Sequence, residues 1–445
     1  MQSRVVTFAG VARASLMLAL ASACAFGAEP SSADVRELLE QNRRLQEQVR
    51  TQQQTIDSLT AKMAAVLKAS DRHEKELRGL REQVEAPASP ASAAGRDHEV
   101  RISAEAGLAF FHTGRDGQFP KDEFRVDEAT ISVEAPVAKN VYLFTEMRLQ
   151  TREANENYFE LGEVYVDFED VSAAWGQPGL LNIRAGRFNS PFGEEYQVRS
   201  VVKNPLISRS LSDIWGINEG AEIYGKVGPL RYALAVQNGG ISSLHDFNAD
   251  KSLAGRVSWD PAGWLHVSAS AMRTGELTAA TDSLSALWFA GGFFRSIGPA
   301  ASTSTFWASL GEGDATAHWK DGHATAALGQ VRYGDNDKRN DNSRRLRYGY
   351  LEIMQGITER LYGAVRYSEI QAPRGYPLSG WGKMGLFFFR PSLTESLKRL
   401  SVGMGYRVSP AVTWKTEYAA ESGRMINGAP RDNEDFFGSE IAVKF

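Results

Sequence analysis

Two different periods of apolar positions divide this chain. Over residues 34–85 the apolar residues recur at alternating spacings of three and four. Val35, Val49, Ile56, Met63, Leu77 and Val84 mark one seam position, and Leu38, Leu45, Leu59, Val66 and Leu80 mark the other. This is the heptad pattern of an α-helical coiled coil. Four polar residues, Asn42, Gln52, Ser70 and His73, interrupt the seam and leave two-stranded and three-stranded forms open. About 50 residues at about 1.5 Å each predict a rod on the order of 75 Å that associates with copies of itself. Residues 86–98 hold few large apolar side chains and predict a Pro/Ala/Ser linker.

From Glu99 to Phe445 the period falls to two. Val141, Leu143, Met147 and Leu149 alternate with Tyr142, Glu146, Arg148 and Gln150, and Leu400, Val402, Met404 and Tyr406 alternate with Arg399, Ser401 and Arg407. The last residues repeat this: Phe437, Ile441, Val443 and Phe445 oppose Glu440 and Lys444. Strands with one apolar face and one charged face do not suit a sandwich core, which would bury the charges. They suit a transmembrane barrel with lipid outside and water inside.

The alternation predicts about sixteen antiparallel strands, near 99–112, 123–135, 140–152, 158–169, 180–188, 220–227, 229–238, 252–260, 264–274, 303–320, 322–334, 343–356, 359–370, 397–408, 410–421 and 434–445. Short turns follow even-numbered strands and longer loops follow most odd-numbered ones, which is the arrangement of outer-membrane barrels. The short turns lie on the side of both termini, so this reading places the coiled coil in the periplasm. Span 275–320 leaves an eighteen-stranded barrel open. Trp259, Trp264, Trp319, Tyr367, Tyr406, Trp414 and Phe445 fall near the expected strand ends, as a membrane-interface girdle requires.

Residues 1–28 read as an export signal, with Arg4 and Arg13 ahead of a short apolar core and small residues up to Ala28. The chain's one cysteine, Cys24, lies inside it, so a processed chain has no disulfide or thiolate metal site. Net charge is −4, which gives no global bias towards nucleic acid. The histidines are scattered without metal-ligand spacing, and His266 beside Ser268 and Ser270 reads as polar wall. No phosphate loop or nucleophile elbow occurs, so neither an enzyme nor a cofactor is expected.

Candidate chemistry therefore lies in charge. Turning each polar face inward lines the lumen with Arg148, Arg184, Lys226, Arg231, Arg256, Arg332, Arg366, Arg399, Arg407, Lys415 and Lys444. Glu128, Glu134, Glu146, Glu163, Asp167, Glu222, Glu352, Glu417 and Glu440 oppose them, leaving a slight basic excess. The long loop after Phe188 is rich in apolar residues, including Phe192, Tyr196, Leu206, Ile207, Leu211, Ile214 and Trp215, so it must pack against something. Folding into the barrel would bury it and narrow the channel. Its charges are Arg187, Arg199, Lys203 and Arg209 against Glu194, Glu195, Asp213 and Glu219, which suit a constriction or a salt-bridged structural loop equally.

Gly186, Arg187, Phe188, Pro191, Phe192 and Gly193, followed by Arg209, Ser210 and Leu211 and then Glu219 and Gly220, resemble the phosphate-selective porin O and P family. The resemblance covers roughly 99–445. It implies a sixteen-stranded homotrimeric channel in a Gram-negative-type outer membrane, a third loop folded inward, and arginines that select phosphate-like anions. Coiled coils precede the barrel in some such porins. A barrel that sheathes an electron-transfer partner, or one that tethers the envelope by peptidoglycan contact, is the competing expectation.

Overall fold

The computed structural model describes residues 99–150, 160–198, 200–212, 216–239, 250–279, 303–387 and 392–445. The predicted signal, coiled coil and linker lie outside the described residues, as do Arg199, Asp213, Ile214 and Trp215.

Sixteen long strands follow in order. They are β1 (Arg101–Thr113), β2 (Glu123–Ala138), β3 (Val141–Gln150), β4 (Glu160–Phe168), β5 (Asn182–Asn189), β6 (Ile217–Val227), β7 (Leu230–Gln237) and β8 (Ser252–Ala262). They continue as β9 (Leu265–Arg273), β10 (Thr305–Trp319), β11 (Gly322–Asp335), β12 (Arg344–Gly356), β13 (Leu361–Tyr376), β14 (Thr394–Ser409), β15 (Val412–Met425) and β16 (Phe436–Lys444). Each pairs antiparallel with the next. The final strand closes on the first, from Glu105 opposite Lys444 to Thr113 opposite Phe436. The result is a closed sixteen-stranded barrel with no edge left to lipid.

The open question at 275–320 is answered by the pairing of β9 directly with β10, Arg273 opposite Ser309. The two-residue strand Leu277–Thr278 only lengthens β10's pairing above that point. β13 and β15 run further past the expected ends than other strands, to Tyr376 and Met425. Pro373 and Arg374 fall in a break of the ladder between Gln371 and Tyr376, while Arg424 pairs with Ser396.

The outer face carries exposed apolar side chains such as Leu143, Leu234, Val257, Leu328, Leu351, Val402 and Ile441. Trp259, Trp264, Trp319 and Trp414 form a ring at the short-turn end. Gly186 shows why a glycine is needed where β5 meets β4. It has φ 135°, and a Cβ there would stand 2.4 Å from the Val164 carbonyl oxygen.

The interior has two storeys. At the long-loop end, the inner face of β10–β14 is apolar: Phe306, Leu310, Val331, Tyr333, Leu346, Tyr348, Ile370 and Leu397 join Phe192 and Leu211 of the long loop in one cluster. Below it the inner face is polar. This corrects two expected lumen positions. Arg332 is exposed on the outer face, between buried Val331 and Tyr333. Arg187 belongs to β5, on the face opposite that of Arg184, and pairs with Glu219 at 3.1 Å rather than entering the constriction. Both lie near the long-loop ends of their strands. At Arg332 the barrel encloses packed loop instead of water, so the charge turns outward; Arg187 is buried, and its guanidinium donates to the Gly162 carbonyl at 2.9 Å.

Candidate functional site

The loop from Ser190 to Gly216 enters the barrel. Its entry is fixed by Ser190, whose hydroxyl donates to Gln237 Oε1 at 2.6 Å. Gly193 then accepts from Arg256 at 3.2 Å and donates to Ser270 Oγ at 3.1 Å, which ties the loop to β8 and β9. Glu194 pairs with the same Arg256 at 3.1 Å. Across the lumen, Arg148 donates to Tyr196 Oη at 2.8 Å, and Ser200 donates to Glu105 at 2.6 Å. Within the loop, Glu195 accepts from the Ser210 backbone N–H at 2.8 Å.

The second half of the loop lies on β12–β16. Lys415 donates to the carbonyls of Val201 and Leu206 at 2.8 and 3.1 Å and pairs with Glu440 at 2.6 Å. Glu417 accepts the backbone N–H groups of Ile207 and Ser208 at 2.7 and 2.6 Å. Arg366 donates to the Ser208 carbonyl at 2.8 Å and to Asn204 at 3.0 Å, while pairing with Glu352. Arg399 donates to the Arg209 carbonyl at 3.1 Å and pairs with Glu421 at 2.7 Å. Each wall cation thus neutralises an acid on a neighbouring strand and satisfies a loop carbonyl. A carbonyl and a charge buried together need such partners.

A second loop also folds in, and the sequence reading did not foresee it. Trp381 stacks on Phe436 with ring centroids 3.9 Å apart, against Phe111 and Phe119. Its backbone N–H donates to Glu421 at 2.7 Å. Arg431 latches the loop by donating to the Ser379 carbonyl at 3.0 Å and to Thr394 at 2.6 Å, and it pairs with Glu434. Burial pushes the Glu434 carboxyl up to about 7, and the Arg431 charge opposes that rise. The apolar run Tyr376, Leu378 and Trp381 in a long loop was the available signal.

What stays open is a vestibule of about 690 Å³ on the short-turn side of the long loop. Lys203, Arg231, His266, His318, His323, Asp260 and Glu352 line it, with Glu194, Glu195, Arg209 and Arg366 at its margin. Arg231 pairs with Asp260 at 2.8 Å, and His266 Nδ1 lies 2.6 Å from the same carboxylate. His323 lies 3.3 Å from Glu352, and its ring is 6.0 Å from that of His318. Lys203 is exposed. Among the described residues no group of three or more His, Cys, Asp or Glu could hold a metal ion.

Of the other expected lumen residues, Arg184 pairs with Asp167 at 3.0 Å and Glu222 at 3.5 Å, Arg209 with Glu128 at 3.4 Å, and Arg407 lies over the Tyr362 ring at 5.0 Å. Thus the cations expected to attract anions mostly hold neighbouring carboxylates. His318 and His323 were missed as a pair because they face each other only across the β10–β11 turn.

The fold is that of outer-membrane porins. The chain superposes on the outer membrane channel DcaP of Acinetobacter baumannii with a TM-score of 0.52 at 12% identity, over 81% of this chain and 100% of that one. It superposes on Salmonella typhi OmpF with a TM-score of 0.50 at 11% identity, over 78% and 98%. Pseudomonas putida OprB gives a TM-score of 0.50 at 10% identity, over 78% and 94%. No family model and no curated protein matches the sequence. At these identities the likeness is one of fold.

Proposed function

We propose that this barrel is a passive diffusion channel for small hydrophilic solutes in the outer membrane of a Gram-negative-type bacterium. The observation that carries the reading is the loop from Ser190. It crosses the lumen, is bonded to the wall on several sides, and leaves a polar vestibule on one of them. A barrel that served only as a tether would have no use for a graded polar passage beneath a fixed constriction. The selected solutes are small anions of the phosphate type, drawn by Lys203. The vestibule's Lys203, Arg209, Arg231 and Arg366 are matched by Glu194, Glu195, Asp260 and Glu352, so the preference is weak. The channel works as a homotrimer whose coiled coils lie in the periplasm, within reach of peptidoglycan.

Planar-bilayer recording tests the reading. Discrete conducting steps are expected, with a reversal potential under a salt gradient that weakly favours anions. A non-conducting reconstituted barrel would remove the channel assignment. A cation-favouring reversal potential would remove the anion assignment alone. Crosslinking with and without residues 29–96 reads the oligomer, and any product other than a trimer would overturn that part.

A further inference from the structure

The corrected position of Arg332 exposes a second feature on the outer wall. Arg332 on β11 stands directly opposite Arg345 on β12. On its other side is Ser309 of β10, whose own far neighbour is Arg273 of β9. Arg347 lies one pleat below Arg345, between Gln330 and Gln371. All four arginines are exposed. Like charges directly opposite each other across a ladder are destabilising. Among the described residues no carboxylate stands in this row. The outward acid on the next strand, Glu369, is tied to Tyr367 at 2.7 Å and to Gln371 at 3.0 Å. The row therefore lacks a counter-charge of its own.

Its height on the wall identifies what supplies one. Trp319 marks the aromatic ring on β10, and Ser309 lies ten residues along the same strand. At about 3.4 Å per residue and a tilt of about 40°, that separation is about 25 Å along the membrane normal. This is the height of a barrel's apolar band, so the arginines sit at the headgroup level of the far leaflet. Directly below them the wall is hollow. Gly311 and Gly313, flanked by Leu328, Gln330 and Arg347, leave a groove of about 440 Å³ on the outer face, floored from the inner side by Gly329, Tyr348 and Glu312.

We propose that this is a binding site for a lipid that carries more than one phosphate. Its phosphates bridge Arg273, Arg332, Arg345 and Arg347, and one acyl chain lies in the glycine groove against Leu328. Strands about 4.8 Å apart spread Arg273 to Arg345 over roughly 15 Å, wider than a single phosphate can span. The arginine forks suit phosphate oxygens bidentately. The site rests on the barrel's being embedded in a membrane and not on what its lumen conducts. A failed conductance measurement therefore leaves it standing.

Native mass spectrometry of the full chain in non-ionic detergent tests this, with bisphosphorylated lipid A, its monophosphorylated form and phosphatidylcholine as probes. Retention in that order is expected. The R273Q/R332Q/R345Q/R347Q variant should lose affinity for the bisphosphorylated probe by about fivefold per arginine. Gly313→Leu fills the groove without touching an arginine, and a Cβ there meets nothing nearer than the Ser268 carbonyl at 4.0 Å. It should weaken retention of the acylated probe and leave migration of the folded barrel unchanged. Wild-type retention by the four-glutamine variant, or equal retention of phosphatidylcholine, would overturn the site. Full displacement of the lipid by millimolar inorganic phosphate would assign it to the bare anion and overturn the lipid reading.

Discussion

The two sides of the lumen use the same residue types to opposite ends. On β12–β16 the cations Arg366, Arg399 and Lys415 are buried beneath the infolded loop, each held by an acid and by loop carbonyls. On β7–β11 the inward Arg231, His266 and His318, with Lys203 of the loop facing them, border the open vestibule. A buried Arg–Glu pair has no remaining field to offer a passing ion and acts as a latch. An exposed charge is screened but still reaches solutes within a Debye length, about 8 Å at physiological salt. Burial, and not residue identity, separates the structural side from the permeation side.

The largest effect is expected where a latch is broken. Arg366→Ala takes the guanidinium from buried Glu352, which keeps His323, and one of two donors from the Ser208 carbonyl, which keeps Asn204, at a cost of about 3 kcal/mol. The loop should loosen, seen as a lower unfolding temperature together with larger, noisier single-channel steps. An unchanged conductance would mean that the loop is held elsewhere. Trp381→Ala comes next, at about 3 kcal/mol for a lost buried aromatic. Protease access to the second loop should rise, while the vestibule's ion selectivity stays as it was.

Lys203→Glu reverses a charge on the permeation side. It should move the reversal potential towards cations with a stability change within about 0.5 kcal/mol. If stability falls by several kcal/mol instead, Lys203 belongs with the latches and the contrast between the two sides fails there. The smallest effect concerns pH. Glu434 is held near 7 by burial, above an unfolded value of about 4.5, so the folded state keeps its proton longer. The stability it contributes is complete below about 4.5 and is lost as pH rises through about 7. Glu434→Gln should flatten that part of the unfolding-temperature profile. A slope identical to that of the wild type would assign the pH response to another group.

Much of this could be read beforehand because a strand's side chains must alternate. Leu400 and Val402 outward with Arg399 and Ser401 inward held without correction, as did the inward Glu440 and Lys444 and the sealing of β16 to β1. The apolar content of the loop after Phe188 foretold its packing. Arg187, assigned to the constriction, belongs to β5 and is buried there, whereas Arg332 was set on the wrong face. Alternation distinguishes two faces but does not say which one meets water, and the answer reverses where packed loop replaces lumen water. The loop carrying Trp381 was overlooked although its apolar residues gave the same kind of signal.

The sequence alone determined an alternating strand wall, its turn and loop ends and its closing strand, because a two-residue period is a local property; the pairing of β9 with β10 then set the count at sixteen. Tertiary structure alone decided which cations are latches, which face the vestibule and which stand on the outer face. Those outcomes depend on burial and on partners distant in sequence. Arg366 meets Ser208, and Arg332 meets Arg345, only after the barrel has closed and its loop has folded in.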